Sequence, residues 1–201
     1  MQQLSIITLG DVHAEALEPL TPYFTRLEQL VLDVAPRDPF AKHRPELNRA
    51  IDAASADWML ILREREIIDA ALAAEIGREV KEARVWGLRI RSVPWYGDKA
   101  LHIGRDPGEV RLFHKRHYLR FANHGEWDGL TVQGTVMRLE NALRSITFES
   151  ATAHREYLAK TGVPHSSVRR ALLFVRYALS TRTFDANTLR YLWIEAGYDR
   201  S

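Results

Sequence analysis

The chain has 201 residues, of which 46% are hydrophobic and 27% charged, so it suits one globular domain and is too apolar for wholesale disorder. The absence of cysteine excludes disulfides, thiolate metal sites and cysteine nucleophiles. The formal net charge is only +2, but 23 of the 28 basic residues are arginine, whose planar guanidinium suits phosphate and carboxylate groups. No apolar run approaches the roughly 20 residues of a membrane span, and the first residues lack the basic region of a secretion signal. We therefore expect a soluble cytoplasmic protein.

The first 84 residues alternate short apolar runs with helical patterns. In chain order, the expected elements are a strand at 5–9, a helix at 14–27, a strand at 30–34, a helix at 45–55, a strand at 58–62 and a helix at 69–83. Runs that are apolar at every position are typical of strands buried on both faces. The pattern therefore predicts an α/β fold with a mostly parallel sheet flanked by helices.

After residue 84, glycine and proline divide the chain into loops and short strands. Strands are expected at 85–91, 110–114 and 118–122, and helices at 151–160, 166–180 and 186–196. Residues 151–201 carry eight basic and four acidic side chains, so this C-terminal part has a net charge of +4. Its basic amphipathic helix at 166–180 either covers the domain with its arginines in solvent or contacts an anionic membrane surface.

Several stretches, in order, resemble inverting family 2 glycosyltransferases, particularly the bacterial lipopolysaccharide-core glucosyltransferases. They are 33–38 (DVAPRD), Asn48, 56–66 (ADWMLILRERE), 108–115 (GEVRLFHK) with Arg120 and Phe121, and 132–139 (VQGTVMRL). The matching stretches occur in the same order as in the family over about residues 4–160. Because no single motif is strong, this common order is what supports the resemblance.

The resemblance implies a GT-A fold, in which a nucleotide-binding sheet is joined to an acceptor-binding half. Residues 1–160 would form this domain, with 1–84 as the nucleotide half and 85–150 as a loop-rich acceptor half. Residues 161–201 would be a basic helical tail packed on the domain. The family carries a further helix and strand between the positions of Asp38 and Asn48, so this chain is short for the family.

The resemblance also implies roles for individual residues. It assigns Asp33 and Asp38 to nucleotide binding, and it aligns the family's catalytic pair with Trp127 and Asp128. Asp128 would then remove the proton of the acceptor hydroxyl, with Glu126 as a nearby substitute. The expected acceptor-binding residues are Trp95, Tyr96, Arg111 and Trp127. Trp95 and Tyr96 could equally fill the join between the two halves, a common position for large aromatic side chains.

The family holds a divalent metal with an Asp-x-Asp motif, but Arg63 and Arg65 occupy those positions here. A guanidinium has no lone pair to give a cation, so we expect no metal or other cofactor. Residues two apart on a strand point the same way, so both arginines would bind the diphosphate directly if the strand continues through them. The alternative is that they pair with Glu64, Glu66 or Asp69 on a solvated edge.

The sequence therefore leaves two functions open. The first is transfer of a sugar, with inversion, from a nucleoside-diphosphate sugar to a cell-envelope glycan or lipid-linked acceptor, with contact to the inner membrane through the C-terminal helices. The second is a non-catalytic relative that binds a sugar, a nucleotide or a protein partner. We expect no nucleic-acid partner, because residues 1–150 are net acidic and contain no recognised nucleic-acid motif.

Overall fold

The structure is a computed structural model that describes residues 2–10, 12, 14–33, 43–82, 84–101, 108–119, 130–161 and 186–195. Its elements are β1 (Gln2–Leu9), β2 (Phe24–Leu32), α1 (Arg44–Ala53), β3 (Trp58–Arg63), β4 (Glu66–Ile67), α2 (Ala70–Glu82), β5 (Gly87–Tyr96), β6 (Lys99–Ala100), β7 (Glu109–His114), β8 (Tyr118–Leu119), β9 (Thr131–Val132), β10 (Val136–Phe148), α3 (Ala151–Thr161) and α4 (Ala186–Glu195).

The chain forms two compact units. The first comprises Met1–Ser92 with Pro107–Arg144, and the second comprises Val93–Asp106 with Ser145–Ser201. The predicted domain boundaries at residues 84, 150 and 160 do not correspond to these two units, and the predicted roles of those segments stay predictions. Among the described residues, no helix combines the length and the hydropathy that crossing a lipid bilayer requires.

The main sheet is mixed, with strand order β2-β1-β3-β7-β5-β10-β4 and with β6 paired to β5. β1 runs parallel to both β2 and β3, whereas β7 is antiparallel to β3 and to β5. The predicted α/β class with a helix-flanked sheet is therefore confirmed, and the sheet combines the parallel strands β1, β2 and β3 with antiparallel pairs. A separate two-stranded sheet joins β8 to β9.

Alternate residues of β1 enter two different hydrophobic clusters of the first unit. Leu4 and Ile6 pack with side chains of α2 and of the turns before β2, whereas Ile7 and Leu9 pack with side chains of α1. This arrangement explains why the run is apolar at every position, since both of its faces are covered. The predicted helices at 45–55 and 69–83 are confirmed as these covering helices.

The predicted helix at 14–27 is wrong. Residues 14–16 and 18–20 form short 3-10 turns, and β2 begins at Phe24. Pro19 and Pro22 interrupt the helical pattern, because proline lacks the N–H that an α-helix needs and restricts the residue before it. Residues 24–32 then pair with β1 along its whole length, and this pairing makes them a strand instead of a helix.

The sequence also gave no sign of β10, at 13 residues the longest of the described strands. A buried carboxylate on α2 explains part of its position: Glu75 accepts hydrogen bonds from the backbone N–H groups of Glu140 (2.8 Å) and Asn141 (2.9 Å), and from the Asn141 side-chain amide (2.9 Å). These bonds tie α2 to β10, two elements far apart in sequence.

The second unit has its own small core of aromatic residues. His154 on α3 is fully buried and stacks on Phe148 (ring centroids 4.1 Å apart) and on Tyr191 of α4 (5.1 Å). Tyr96, Leu101 and Ile194 belong to the same core. The predicted helices at 151–160 and 186–196 are confirmed, and the predicted helix at 166–180 lies outside the described residues.

We expect Glu75→Ala to lower the free energy of unfolding by about 2–3 kcal/mol, because two backbone N–H groups and an amide lose their acceptor. Urea denaturation followed by circular dichroism measures this change. Glu82→Ala on the same helix, where the carboxylate forms a partly exposed pair with Arg84, is the control and should change stability by less than about 0.5 kcal/mol. Equal losses in the two variants would contradict the role of Glu75.

A second carboxylate makes the stability of the first unit depend on pH. Glu28 on β2 accepts hydrogen bonds from the Ser5 hydroxyl, and from the backbone N–H (2.8 Å) and hydroxyl (2.9 Å) of Ser55. These bonds, the Ser5 bond foremost, hold the pKa of Glu28 below its ordinary value. The charged form therefore contributes stability that is complete above the ordinary glutamate pKa and is lost as the pH falls through the lowered pKa.

Glu28→Gln keeps an acceptor oxygen but removes the charge. We expect wild type to exceed this variant in stability by a constant amount at neutral pH, and the difference to shrink below about pH 4.3, the unfolded pKa. Denaturant unfolding of both proteins over a pH series is the measurement. A difference that grows on acidification would show that the sign is wrong.

Candidate functional site

The carboxyl ends of the three parallel strands meet at one edge of the sheet. Leu9 is in register with Leu32 on one side and with Arg63 on the other. The next residues continue this alignment, since the Gly10 N–H donates to the Leu32 carbonyl (2.9 Å) and the Glu64 N–H donates to the Leu9 carbonyl (2.7 Å). The backbones of Asp33, Gly10 and Glu64 therefore lie side by side, where ligands bind open parallel sheets.

Gly10 is needed for this close approach. Its φ is +83°, a conformation that side chains other than glycine rarely adopt. A Cβ at this position would also lie 3.1 Å from the Cβ of Glu64. The glycine therefore lets the chain leave β1 directly against the turn that follows β3.

That turn separates the two arginines. β3 ends at Arg63, residues 64 and 65 form the turn, and Arg65 has a positive φ of 65°. The condition under which Arg63 and Arg65 were expected to point the same way, a strand that continues through both, is therefore not met. Both side chains nevertheless lie at the carboxyl edge, with exposed fractions of 37% for Arg63 and 51% for Arg65.

Each arginine has a carboxylate partner. Arg65 Nε lies 3.6 Å from Glu64 Oε1, which is one of the pairs expected from the sequence. Arg63 Nη2 lies 3.5 Å from Glu109 Oε2 at the start of β7, a partner that the sequence did not indicate. Ion pairs this exposed contribute only about 0–1 kcal/mol, so an anionic ligand could exchange with either carboxylate at little cost.

A buried ion pair lies behind these exposed groups. The side chains of Glu66 and Arg111 are each 2% exposed, with Nη2 to Oε1 at 3.1 Å and Nη1 to Oε2 at 3.4 Å. Glu66 also accepts from the Arg63 backbone N–H (2.8 Å) and from the Ser92 hydroxyl (3.3 Å). Arg111 Nε in turn lies 3.1 Å from Glu109 Oε2. Charges of opposite sign therefore alternate from the buried pair out to the carboxyl edge.

The structure distributes the other predicted site residues as follows. Arg111 is inside the first unit and presents almost none of its side chain to solvent, so its contacts give it a structural role, and acceptor binding stays a prediction. Trp95 and Tyr96 end β5 in the second unit, where Tyr96 is buried edge-on to His154 and Tyr191.

Among the predicted nucleotide-binding and catalytic residues, the Asp33 side chain is exposed. Asp38, Glu126, Trp127 and Asp128 lie outside the described residues.

The residues at the carboxyl edge do not fit the divalent metal that the family resemblance implies. The two positions that would supply carboxylates carry guanidinium groups, which repel a cation. The nearby carboxylates of Glu64, Glu66 and Glu109 are each paired with an arginine. No step of the chemistry proposed below is therefore assigned to a metal at this edge.

The sequence predicted Asp33, Arg63 and Arg65 at this edge but did not indicate Gly10, Ser92 or Glu109. Gly10 could have been found, because a glycine directly after a buried strand indicates a sharp turn at the ligand-binding edge. The other two residues reach the site only through pairing of distant strands, which leaves no local signal.

We expect Arg111→Met to lower the free energy of unfolding by about 3–5 kcal/mol, because the Glu66 carboxylate then stays buried without its guanidinium. The double variant Glu66→Gln with Arg111→Met removes the stranded charge and keeps an acceptor for the Arg63 N–H. It should therefore be more stable than Arg111→Met alone in urea denaturation. A double variant at least as unstable as the single one would contradict this account of the pair.

Comparison with known proteins finds similarity to solved structures but not to any protein family. No protein-family model and none of the curated proteins matches the sequence. The structure is similar to the crystal structure of residues 1–349 of TarS from S. aureus, a glycosyltransferase, with a TM-score of 0.39 and 10% sequence identity. The match covers 99% of this chain and 72% of that chain. A similarity at this level does not assign the chain to a family.

Proposed function

We propose that this protein is a glycosyltransferase-like protein of the GT-A type that binds a nucleoside-diphosphate sugar at the carboxyl edge of β1, β2 and β3. The observation that carries the proposal is the strand register, which aligns Asp33, Gly10 and Glu64 beyond the sheet and places Arg63 and Arg65 beside them. The sequence resemblance to family 2 glycosyltransferases supports the same edge.

The residues at this edge have the chemistry that such a ligand needs. The exposed Asp33 carboxylate is an acceptor for the hydroxyl and N–H groups of a nucleoside. The guanidinium groups of Arg63 and Arg65 offer planar pairs of N–H donors that match diphosphate oxygens. Gly10 lets the chain leave β1 directly against Glu64, so the ends of β1 and β3 stay close together at this edge.

Arg65 provides a further argument. A non-glycine residue in the left-handed region costs on the order of 1 kcal/mol, and glycine would occupy it without that cost. The position nevertheless holds an arginine whose side chain is half exposed. Backbone strain of this kind concentrates at ligand sites, so it supports a binding role for the guanidinium.

In the proposed reaction, the acceptor hydroxyl attacks the anomeric carbon as the bond to the diphosphate breaks, which inverts that carbon. Negative charge grows on the departing diphosphate, and Arg63 and Arg65 offset it in place of a metal. Asp128, or Glu126 in its place, takes the hydroxyl proton. The acceptor class that we propose is a cell-envelope glycan or a lipid-linked saccharide.

A second candidate is a non-catalytic protein that binds the same ligand or a sugar. The observation that favours it is that Glu64 and Glu109 already pair with both arginines, so only part of their charge is available to a leaving group. Binding tolerates such partial neutralisation better than transfer does, because transfer depends on charge stabilised specifically in the transition state.

Titration of the protein with UDP, monitored by calorimetry in the presence of EDTA, tests ligand binding. We expect binding that needs no metal, and a loss of affinity of at least about tenfold, or 1.4 kcal/mol, in Arg63→Ala with Arg65→Ala and in Asp33→Asn. Arg78→Ala on α2, which removes an exposed arginine paired with Glu79, is the matched control and should bind like wild type. Absence of binding, or equal affinity in all variants, would refute the proposed site.

Arg65→Gly separates the binding role of the side chain from its effect on folding. We expect this variant to be more stable than wild type by about 0.5–1 kcal/mol, because the strained φ is relieved, yet to bind UDP more weakly. Thermal unfolding and calorimetry measure the two effects. If affinity were unchanged, the guanidinium would have no part in binding.

Incubation with several nucleotide sugars distinguishes the two candidate functions. Release of nucleoside diphosphate by wild type, and its loss in Asp128→Asn, would identify an enzyme. Retained UDP binding with no turnover of any donor would identify the non-catalytic protein.

A further inference from the structure

β2 is the terminal strand of the main sheet in the part of the chain that the structure describes. It is nine residues long, and Thr25, Arg26, Gln29 and Val31 are exposed along it. An edge strand of this length offers a row of backbone N–H and C=O groups to another strand. It contains no proline or lysine, two of the residues that commonly protect such edges.

Apolar side chains lie along this edge, which no other described strand pairs with. Val31 is 56% exposed, and it lines a shallow groove together with Leu30, Leu32 and Ala50 of α1. Glu46 and Arg49 of α1, paired at 3.2 Å, form the charged rim of the groove. The groove therefore offers an apolar floor beside a carboxylate and a guanidinium.

We propose that a second copy of this chain occupies this edge, with β2 pairing antiparallel to β2 of the other copy about a two-fold axis at Gln29. Two criteria select this register: like charges should not face each other, and the paired segment should avoid the irregular start of β2. An axis at Glu28 would oppose two glutamates, which is unfavourable. An axis at Leu27 would run the pairing through Thr25, where the β1–β2 register shifts and β2 holds an extra residue.

The axis at Gln29 uses only the regular part of β2, from Arg26 to Leu32. It places Leu27 opposite Val31 of the other copy, so that the most exposed apolar side chain of the edge becomes covered. The two Gln29 amides face each other and can exchange hydrogen bonds.

On the face toward α1, Arg26 of one copy lies opposite Leu32 of the other, beside the groove that Glu46 lines. No like charges are directly opposed across the paired strands in this register, and Arg26 of each copy lies beside the Glu46–Arg49 pair at the rim of the other copy's groove. One patch thus complements itself, which is the property of a two-fold interface and favours a second copy over an unrelated peptide.

Sedimentation equilibrium over a dilution series tests the proposal. The variants place a charged side chain at position 29, where the two-fold axis passes. Gln29 is exposed, so Gln29→Lys and Gln29→Glu should each fold normally while opposing two like charges in the dimer. We expect wild type to be a reversible dimer, each single variant to dissociate at least about tenfold more readily, and an equimolar mixture of the two variants to regain dimerisation. Wild type that stays monomeric at every concentration, or variants that dimerise like wild type, would overturn the proposal.

Val31→Lys provides a second variant, because it buries a cation against Leu27 of the other copy and should also weaken the dimer. Leu119→Lys makes the same kind of change at an apolar residue that is 47% exposed on β8, and it should leave dimerisation unaltered. If both lysine variants weakened association equally, the interface would not be the β2 edge.

Discussion

Burial of the Glu66 carboxylate is the constraint on which the architecture around the site depends. A buried carboxylate is tolerated only when cations and hydrogen-bond donors surround it, so the guanidinium of Arg111 must come from β7 and the hydroxyl of Ser92 from β5. The Arg63 N–H supplies a further donor from the end of β3. One side chain on the two-residue strand β4 thereby fixes where three other strands lie.

The same constraint shapes the proposed ligand site. Arg111 bridges Glu66 to Glu109, and Glu109 faces the Arg63 guanidinium at the carboxyl edge. The edge therefore holds cations that carboxylates balance, in the place where the sequence resemblance to family 2 glycosyltransferases implies a metal held by carboxylates. Such a site can exchange a carboxylate for an anionic ligand without moving the strands, because the buried pair stays intact behind it.

Local patterns predicted the centre of the fold well, because burial on both faces requires continuous apolar runs and because covering helices require a periodic apolar face. β1, β3, α1 and α2 follow from these rules. The rules failed where long-range pairing decides. Residues 24–27 carry a helical pattern but lie in the strand that pairs with β1, and β10 is attached by Glu75 on a distant helix. The terminal position of β2 among the described strands of the main sheet likewise emerges only from the strand order.

The sequence by itself determined the class of fold, the apolar strands with their covering helices, and the presence of Asp33, Arg63 and Arg65 where strands end, because these depend on residue type and spacing along one segment. Only the tertiary structure decided that a turn separates the two arginines, that Glu109 pairs with Arg63, and that Arg111 is buried against Glu66. Ion pairs between strands depend on distances through space between residues that are remote in the chain, and no local pattern records those distances.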